Sequence, residues 1–284
     1  MLPYKTNSTG IRFFGFLFIF GLLSGVSFSA DKIPGPEKPV IVASTTMIAS
    51  LVRDLAGDHF EILTLLPPNS CPGHFDLKPA DVLRIRDAVL IIGHQYQRDL
   101  QKALRSQVRE KGRWLILADR YTPTIPEDYL RMGRFLLDDL KRRFPAQEAS
   151  FRKQWLQVEA DILQTAEAFK KEFQKKKPLS SPLIVAFHQK DFVRSWGFDP
   201  VGVFDSPGGE SMPQLKALIQ KGEKTGVLAI IGNLQTGGKE AEVIAEKLKV
   251  PLIFLSNFPG GEAGTSTYKE LLRSNCLKML KVLG

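Results

Sequence analysis

Seven apolar side chains, Phe151, Trp155, Val158, Ile162, Ala166, Phe169 and Phe173, recur at steps of 4, 3, 4, 4, 3 and 4. Steps of three and four keep side chains on one face of an α-helix, so this stripe predicts one long amphipathic helix. Drawn from Gln147 to Lys176, it would run about 45 Å at 1.5 Å per residue. Pro145 separates it from a preceding helix over roughly 127–143. Between Pro126 and Lys177 no run is strand-like. A strut of that length divides the chain into whatever folds before it and whatever folds after it.

Both flanks carry the same rhythm. Before the strut, apolar runs at Val40–Ser44, Glu61–Leu66, Val89–Ile92 and Trp114–Ala118 alternate with helical patterns at Met47–Ala56, Pro79–Asp87 and Asp99–Val108. After it, runs at Leu183–Phe187, Val201–Phe204, Val227–Ile231 and Leu252–Leu255 alternate with helices at Phe192–Trp196, Gln214–Lys221, Lys239–Leu248 and Thr267–Leu283. Runs that are apolar throughout suit parallel strands covered on both faces, and the alternation argues βαβ units. The predicted organisation is a leader over 1–30, an N-terminal α/β lobe over 31–145, a linking helix over 146–178 and a C-terminal α/β lobe over 179–284.

The leader has the order of a secretory signal. Lys5 and Arg12 precede an apolar run from Phe13 to Leu23, and small residues follow to Ala30. The run is about eleven residues, short of the roughly 20 that span a bilayer. An uncleaved anchor is the competing reading. No cysteine follows the run to take a lipid, so an exported, extracytoplasmic chain is expected. The full chain has 39 Lys+Arg against 30 Asp+Glu, and removing the leader lowers the excess from nine to seven. The basic run at Lys170–Lys177 falls at a helix C-terminus, where cations are favoured. Without a binding motif or interleaved aromatics, nucleic acid is not expected as a partner.

Ligands of open α/β sheets gather at the C-terminal ends of the strands. After the second run stands PPNSCPGHFDLKPAD, with Cys71 and His74 in a Pro/Gly-rich turn, and after the fifth stands Phe187-His188-Gln189. Imidazole and thiolate are transition-metal ligands, and one histidine from each lobe could clamp an ion between them. His94 follows the third run as a candidate for the cleft rim, while His59 falls at the opposite end. Asp205, Glu210 and Glu262 lie in loops that could supply oxygen. The Gly-rich turns SPGGES, QTGGKE and FPGGEAGTS lack the P-loop spacing. They could instead cradle an anion or organic ligand.

Over residues 40–283 the chain resembles the zinc/manganese-binding solute receptors of bacterial ABC importers. The resemblance rests on IVASTTMIASLVRDLAGDHFEILTLLPP, GHFDLKPADVLRIRDAVLII, LIVAFHQKDFVRSWGF, ESMPQLKALIQKGEKTGVLAII and TSTYKELLRSNCLKML, in that order. It implies two Rossmann-like, four-stranded parallel α/β lobes joined by a long rigid helix, with a metal held in the cleft. Of the family's ligands, the first His matches His74 and the His opening the second lobe matches His188. The family's second His falls near Tyr121–Thr124, its carboxylate falls at Leu255-Ser256-Asn257, and a further glutamate is replaced by Asn233. Cys71, three residues before His74, is the candidate replacement and would soften the site toward zinc or copper. The alternative for Cys71 is a free turn thiol or a disulfide with Cys276, a residue the last helix pattern places in the core.

The resemblance implies a monomeric, non-enzymatic receptor that captures a divalent transition metal, zinc foremost, and hands it to a membrane ABC permease. Manganese, iron or copper are the other candidate ions. A second reading keeps the receptor but exchanges the cargo for a metal chelate or small organic molecule. An exported enzyme is the third; it would need Cys71 and His188 as a nucleophile pair with no orienting partner.

Overall fold

A computed structural model describes residues 38–70, 79–105, 113–176, 181–205, 209 and 211–283. Cys71, His74 and Glu210 lie outside the described residues, as does the leader. All described residues belong to one compact unit that begins at Lys38.

The first sheet is built from β1 (Val40–Ala43), β2 (Glu61–Thr64), β3 (Leu90–His94) and β4 (Trp114–Leu117). All pairs are parallel and the order is β2-β1-β3-β4. Between the strands run α1 (Thr46–Ala56), α2 (Pro79–Asp87) and α3 (Arg98–Arg105). The second sheet uses β5 (Leu183–Ala186), β6 (Gly202–Phe204), β7 (Ala229–Asn233) and β8 (Leu252–Leu255). It too is parallel, in the order β6-β5-β7-β8. The two lobes therefore repeat one topology. The first strand of each is central, and the chain crosses from one side of it to the other between the second and third strands.

The strut is real and is continuous from Glu148 to Lys175 as α5, entered through a short turn at Pro145–Gln147. Before it lies α4 (Pro126–Arg143), with proline in its first turn, where the missing N–H costs nothing. Helices α6 (Lys190–Ser195), α7 (Met212–Thr225), α8 (Lys239–Leu248) and α9 (Tyr268–Val282) complete the second lobe. Thr267 caps α9 in a reciprocal capping box with Glu270.

The α5 stripe explains how the lobes are joined. Phe151, Trp155, Ile162, Phe169 and Phe173 are buried. At the N-terminal end Phe151 packs on Phe60 of the first lobe, and at the C-terminal end Phe173 meets Trp196 and Phe198 of the second. One apolar core consequently runs through both lobes, from Ile41 and Leu90 to Leu183 and Ala229. Separate clusters fill the outer face of each sheet, around Ile91 in the first and Ile230 in the second. Gly133 is required by this packing, because a Cβ there would fall 1.9 Å from the Trp155 ring.

The strand ends differ by a residue or two from the sequence reading. β5 stops at Ala186, and Phe187–Gln189 form a tight helical turn, so His188 stands on that turn and not on the strand. β3 extends to His94 and β7 to Asn233, which brings both polar side chains into their sheets. Cys276 is a free thiol, fully buried in α9.

Candidate functional site

The C-terminal ends of both sheets open on one cavity of about 430 Å³. The first lobe contributes His94, Tyr96, Asp119 and Tyr121 to its wall, and the second contributes His188, Asn233, Gln235 and Asn257. Met47, Met132, Phe187 and Phe258 supply much of the apolar lining.

In each lobe the wall is centred between the first and third strands, where connections leave to opposite sides. That is the switch point at which α/β sheets bind ligands. In the first lobe, Thr45 follows β1 and caps α1 by accepting from Ile48 N–H. Its hydroxyl lies 3.3 Å from His94 Nε2 at the end of β3. Gln97 Oε1 accepts from His94 N–H at 3.0 Å and from the Ser44 hydroxyl at 2.6 Å. The His94 ring stacks on Tyr96 at 5.0 Å, and Tyr96 N–H donates to Asp119. Burial pushes the His94 pKa down from 6.5 to about 4, because an imidazolium there would be desolvated without a carboxylate partner. At neutral pH His94 is therefore an uncharged imidazole.

In the second lobe, Gln189 takes the place of Thr45 and Asn233 that of His94. Gln189 Nε2 donates to Asn233 Oδ1 at 2.9 Å, to Asn257 Oδ1 at 2.8 Å and to Leu255 C=O at 3.3 Å. Asn257 Nδ2 donates to Asn233 Oδ1 at 3.0 Å, and Asn233 Nδ2 donates to the Thr236 hydroxyl at 3.2 Å. Gln235 completes the cluster. Its Oε1 accepts from Asn257 N–H at 3.0 Å, and its Nε2 donates to Ser256 Oγ at 3.0 Å. The same Nε2 donates at 3.0 Å to Pro68 C=O, which lies in the loop after β2. One side chain of the second lobe thus holds the backbone of the first, three residues before Cys71.

His188 is exposed on the cavity wall, edge-on to Phe187 at 5.4 Å. Tyr121 is half-buried on the opposite wall with the Arg120 guanidinium over its ring. Of the three loop carboxylates foreseen as oxygen donors, Glu210 lies outside the described residues and the other two are bonded within the protein. Asp205 accepts from the Thr236 hydroxyl, and Glu262 pairs with Lys278. His59 is exposed and bonded to Ser150, away from the cavity. Among the described residues, no three His, Cys, Asp or Glu side chains come together as a metal site.

A second polar array lies behind the cavity. Tyr268 of α9 stacks on Tyr129 of α4 with centroids 3.6 Å apart and planes 5° from parallel. Tyr268 donates to Thr124 C=O at 2.9 Å, and its N–H donates to Ser50 of α1. Tyr129 donates at 2.6 Å to Asp54, whose pKa burial raises from 3.8 to about 6.

Sequence reasoning missed the carboxamide cluster. Its signal was present in FHQK, GNLQTGG and LSNF, where uncharged amides stand at the strand ends.

A family model described as zinc-uptake complex component A, periplasmic, matches residues 41–282. A crystal structure of ZnuA superposes with a TM-score of 0.75 at 16% identity, covering 87% of this chain and 100% of that one. The Mn-bound periplasmic metal-binding protein from Candidatus Liberibacter asiaticus does so with a TM-score of 0.75 at 14% identity, with the same coverage of 87% and 100%. The laminin-binding protein Lmb of Streptococcus agalactiae, described as having adhesin and metal-transporting activity, gives 0.72 at 19% identity, again over 87% and 100%. These likenesses show a shared fold. The uncharacterized protein RP014 of Rickettsia prowazekii (strain Madrid E) is 40% identical over 55 residues, 19% of this chain and 18% of the length of that relative.

Proposed function

The chain belongs to the family of zinc-uptake complex component A, periplasmic, and from that premise we propose that it is the solute-binding component of a bacterial ABC importer. In this reading it captures a divalent transition metal, zinc foremost, in the cavity between the lobes and presents it to a membrane permease. The role is capture without catalysis. Residues 1–30 direct export, the receptor works as a monomer, and the lobes span 31–145 and 179–284 on either side of a linking helix over 146–178.

The cargo's ligands are His188 from the second lobe and His74 and Cys71 from the segment that follows Ser70. The Gln235 bond to Pro68 is the observation that carries this assignment. It ties Pro68, three residues before Cys71 in the chain, to the lobe that carries His188, which supports the reading. A neutral imidazole pair with a thiolate suits zinc or copper better than manganese, whose preference is for oxygen.

The test is metal analysis of untagged protein together with thermal melting in Zn, Mn, Fe, Co and Cu. One equivalent of metal is expected, with a rise in Tm of roughly 5–10 °C at a hundredfold excess over Kd. His188→Ala should weaken binding at least tenfold. A protein that carries no metal and shows no shift with any of the five ions would overturn the reading.

A further inference from the structure

We propose that α9 sets the gape of the cavity, gripping one wall through Tyr268 and the other through Asn275, so that both are positioning residues for the cargo. The effect on cargo rests on the receptor reading above; the gape itself does not.

The pattern of α9 is the first observation. Its buried stripe is Tyr268, Leu271, Leu272, Asn275, Cys276 and Met279. A helix that only packs needs no polar group on such a stripe. Tyr268 is nevertheless fully buried, and Asn275 is 1% exposed. Their spacing is close to two turns, which puts them on one face about 10.5 Å apart. Buried polar groups are hydrogen-bonded, and the partners of these two lie on opposite walls of the cavity.

Tyr268 grips the first lobe. Its ring stacks on Tyr129 of α4. Its N–H, one of the donors a helix start leaves unpaired, donates to Ser50 Oγ of α1 at 2.9 Å. Its hydroxyl donates to Thr124 C=O at 2.9 Å. Thr124 lines the cavity, is 5% exposed and keeps a hydroxyl with no hydrogen-bond partner among the described residues. The bond to its carbonyl fixes a polar point on the wall that includes Tyr121.

Asn275 grips the second lobe. Its Oδ1 accepts from Ser256 N–H at 3.1 Å, and its Nδ2 donates to Ser256 C=O at 2.9 Å. One side chain thus holds both main-chain groups of a fully buried residue. Ser256 passes that hold to the wall. Its hydroxyl accepts from Gln235, and its neighbours Leu255 and Asn257 accept from Gln189, the residue after His188. One turn further along α9, Lys278 donates to Phe254 C=O at 2.9 Å and pairs with Glu262. The segment 254–262, which brings Asn257 and Phe258 to the cavity, is therefore carried on α9.

The first turn of α9 is thus fastened to α1, α4 and the loop before α4, and its middle to the wall of His188. Neither Tyr268 nor Asn275 lines the cavity. A rigid element that holds both walls fixes the separation of the groups they present, and affinity gained this way comes from preorganisation.

The experiment reads gape and affinity separately on metal-stripped full chain. Nitroxide amino acids replace two exposed residues, Arg120 beside the first wall and Asp191 on the second, and pulsed electron spin resonance measures the distance between them. Zinc chloride titrated against a chelating dye measures affinity. Tyr268→Phe keeps the stack and the N–H bond and loses only the bond to Thr124. It should broaden the distance distribution and weaken zinc at least fivefold, through faster release. Asn275→Ser should do the same from the other wall. The Gln235 bond to Pro68 still joins the lobes, so the distribution should widen without splitting. Tyr129→Phe is the control, because it cuts the bond to Asp54 in the same array and touches neither wall. It should lower urea stability at least as much as Tyr268→Phe and change neither gape nor affinity. The proposal is overturned if Tyr268→Phe leaves the gape at wild-type width, if the gape widens with zinc affinity unchanged, or if Tyr129→Phe widens it as much. A wild-type chain that takes up no zinc counts against the receptor reading alone, and the distances by themselves then support or overturn the role of α9.

Discussion

The two lobes share a topology and even a few residues of sequence, then diverge at one side chain. β3 ends in Ile91-Ile92-Gly93-His94 and β7 in Ile230-Ile231-Gly232-Asn233. Both end residues stand at a switch point, and both meet a side chain from the loop after the lobe's first strand. In the first lobe that meeting is a single long contact between a hydroxyl and a neutral imidazole. In the second it is the hub of four carboxamides. The fold supplies the place, and the side chain at the end of the third strand decides whether the wall there can take a proton or stays neutral at every pH.

Cutting the hub gives the largest effect. Asn233→Leu leaves Gln189 and Asn257 without their shared acceptor in a buried setting. Each orphaned group costs about 1–3 kcal/mol, so a loss of roughly 2–4 kcal/mol is expected in urea denaturation. A loss below about 1 kcal/mol would show that the amides do not act as a network.

His94 should govern how stability depends on acid. Its folded pKa of about 4 lies below the unfolded value of 6.5, so the unfolded chain takes up the proton first. The stability it contributes is complete above pH 6.5 and is lost as pH falls toward 4, by about 3 kcal/mol. His94→Gln should remove that part of the slope in denaturation curves from pH 4 to 7.

Asp54 acts in the opposite sense. Its folded pKa of about 6 lies above 3.8, so the folded state holds the proton longer and stability falls as pH rises from about 4 to 6. The partial exposure of Asp54 reduces the expected size to about 2 kcal/mol. Asp54→Asn should therefore steepen the acid loss that His94 causes. Identical pH curves for the two variants would remove the contrast.

The smallest effect belongs to the lone contact of the first lobe. Thr45→Val removes the α1 cap and the hydroxyl beside His94, for about 1 kcal/mol by the same urea measurement. A cost equal to that of Asn233→Leu would mean the two walls are equally wired.

The α5 stripe and the two βα rhythms were legible because their periodicity is local. Phe151 and Phe173 mark their helix face wherever the lobes lie, and Pro79 marks the start of α2. The site was less legible because its bonds join distant residues. Gln189 meets Asn257 across 68 positions, and Gln235 meets Pro68 across 167. No spacing rule connects such residues. His94 was foreseen at the cleft rim, but its burial depends on Tyr96 and on the strand extending to include it. His188 does line the cavity, while Cys71 and His74 lie outside the described residues.

The apolar core that passes from Ile41 through the α5 stripe to Ala229 has a consequence for folding. Each half keeps its outer-face cluster to itself, but on the inner face each depends on the same helix. A break in that helix would be felt at both ends, and heating should give a single calorimetric transition for residues 38–283. Two transitions would show that the shared helix does not couple the lobes.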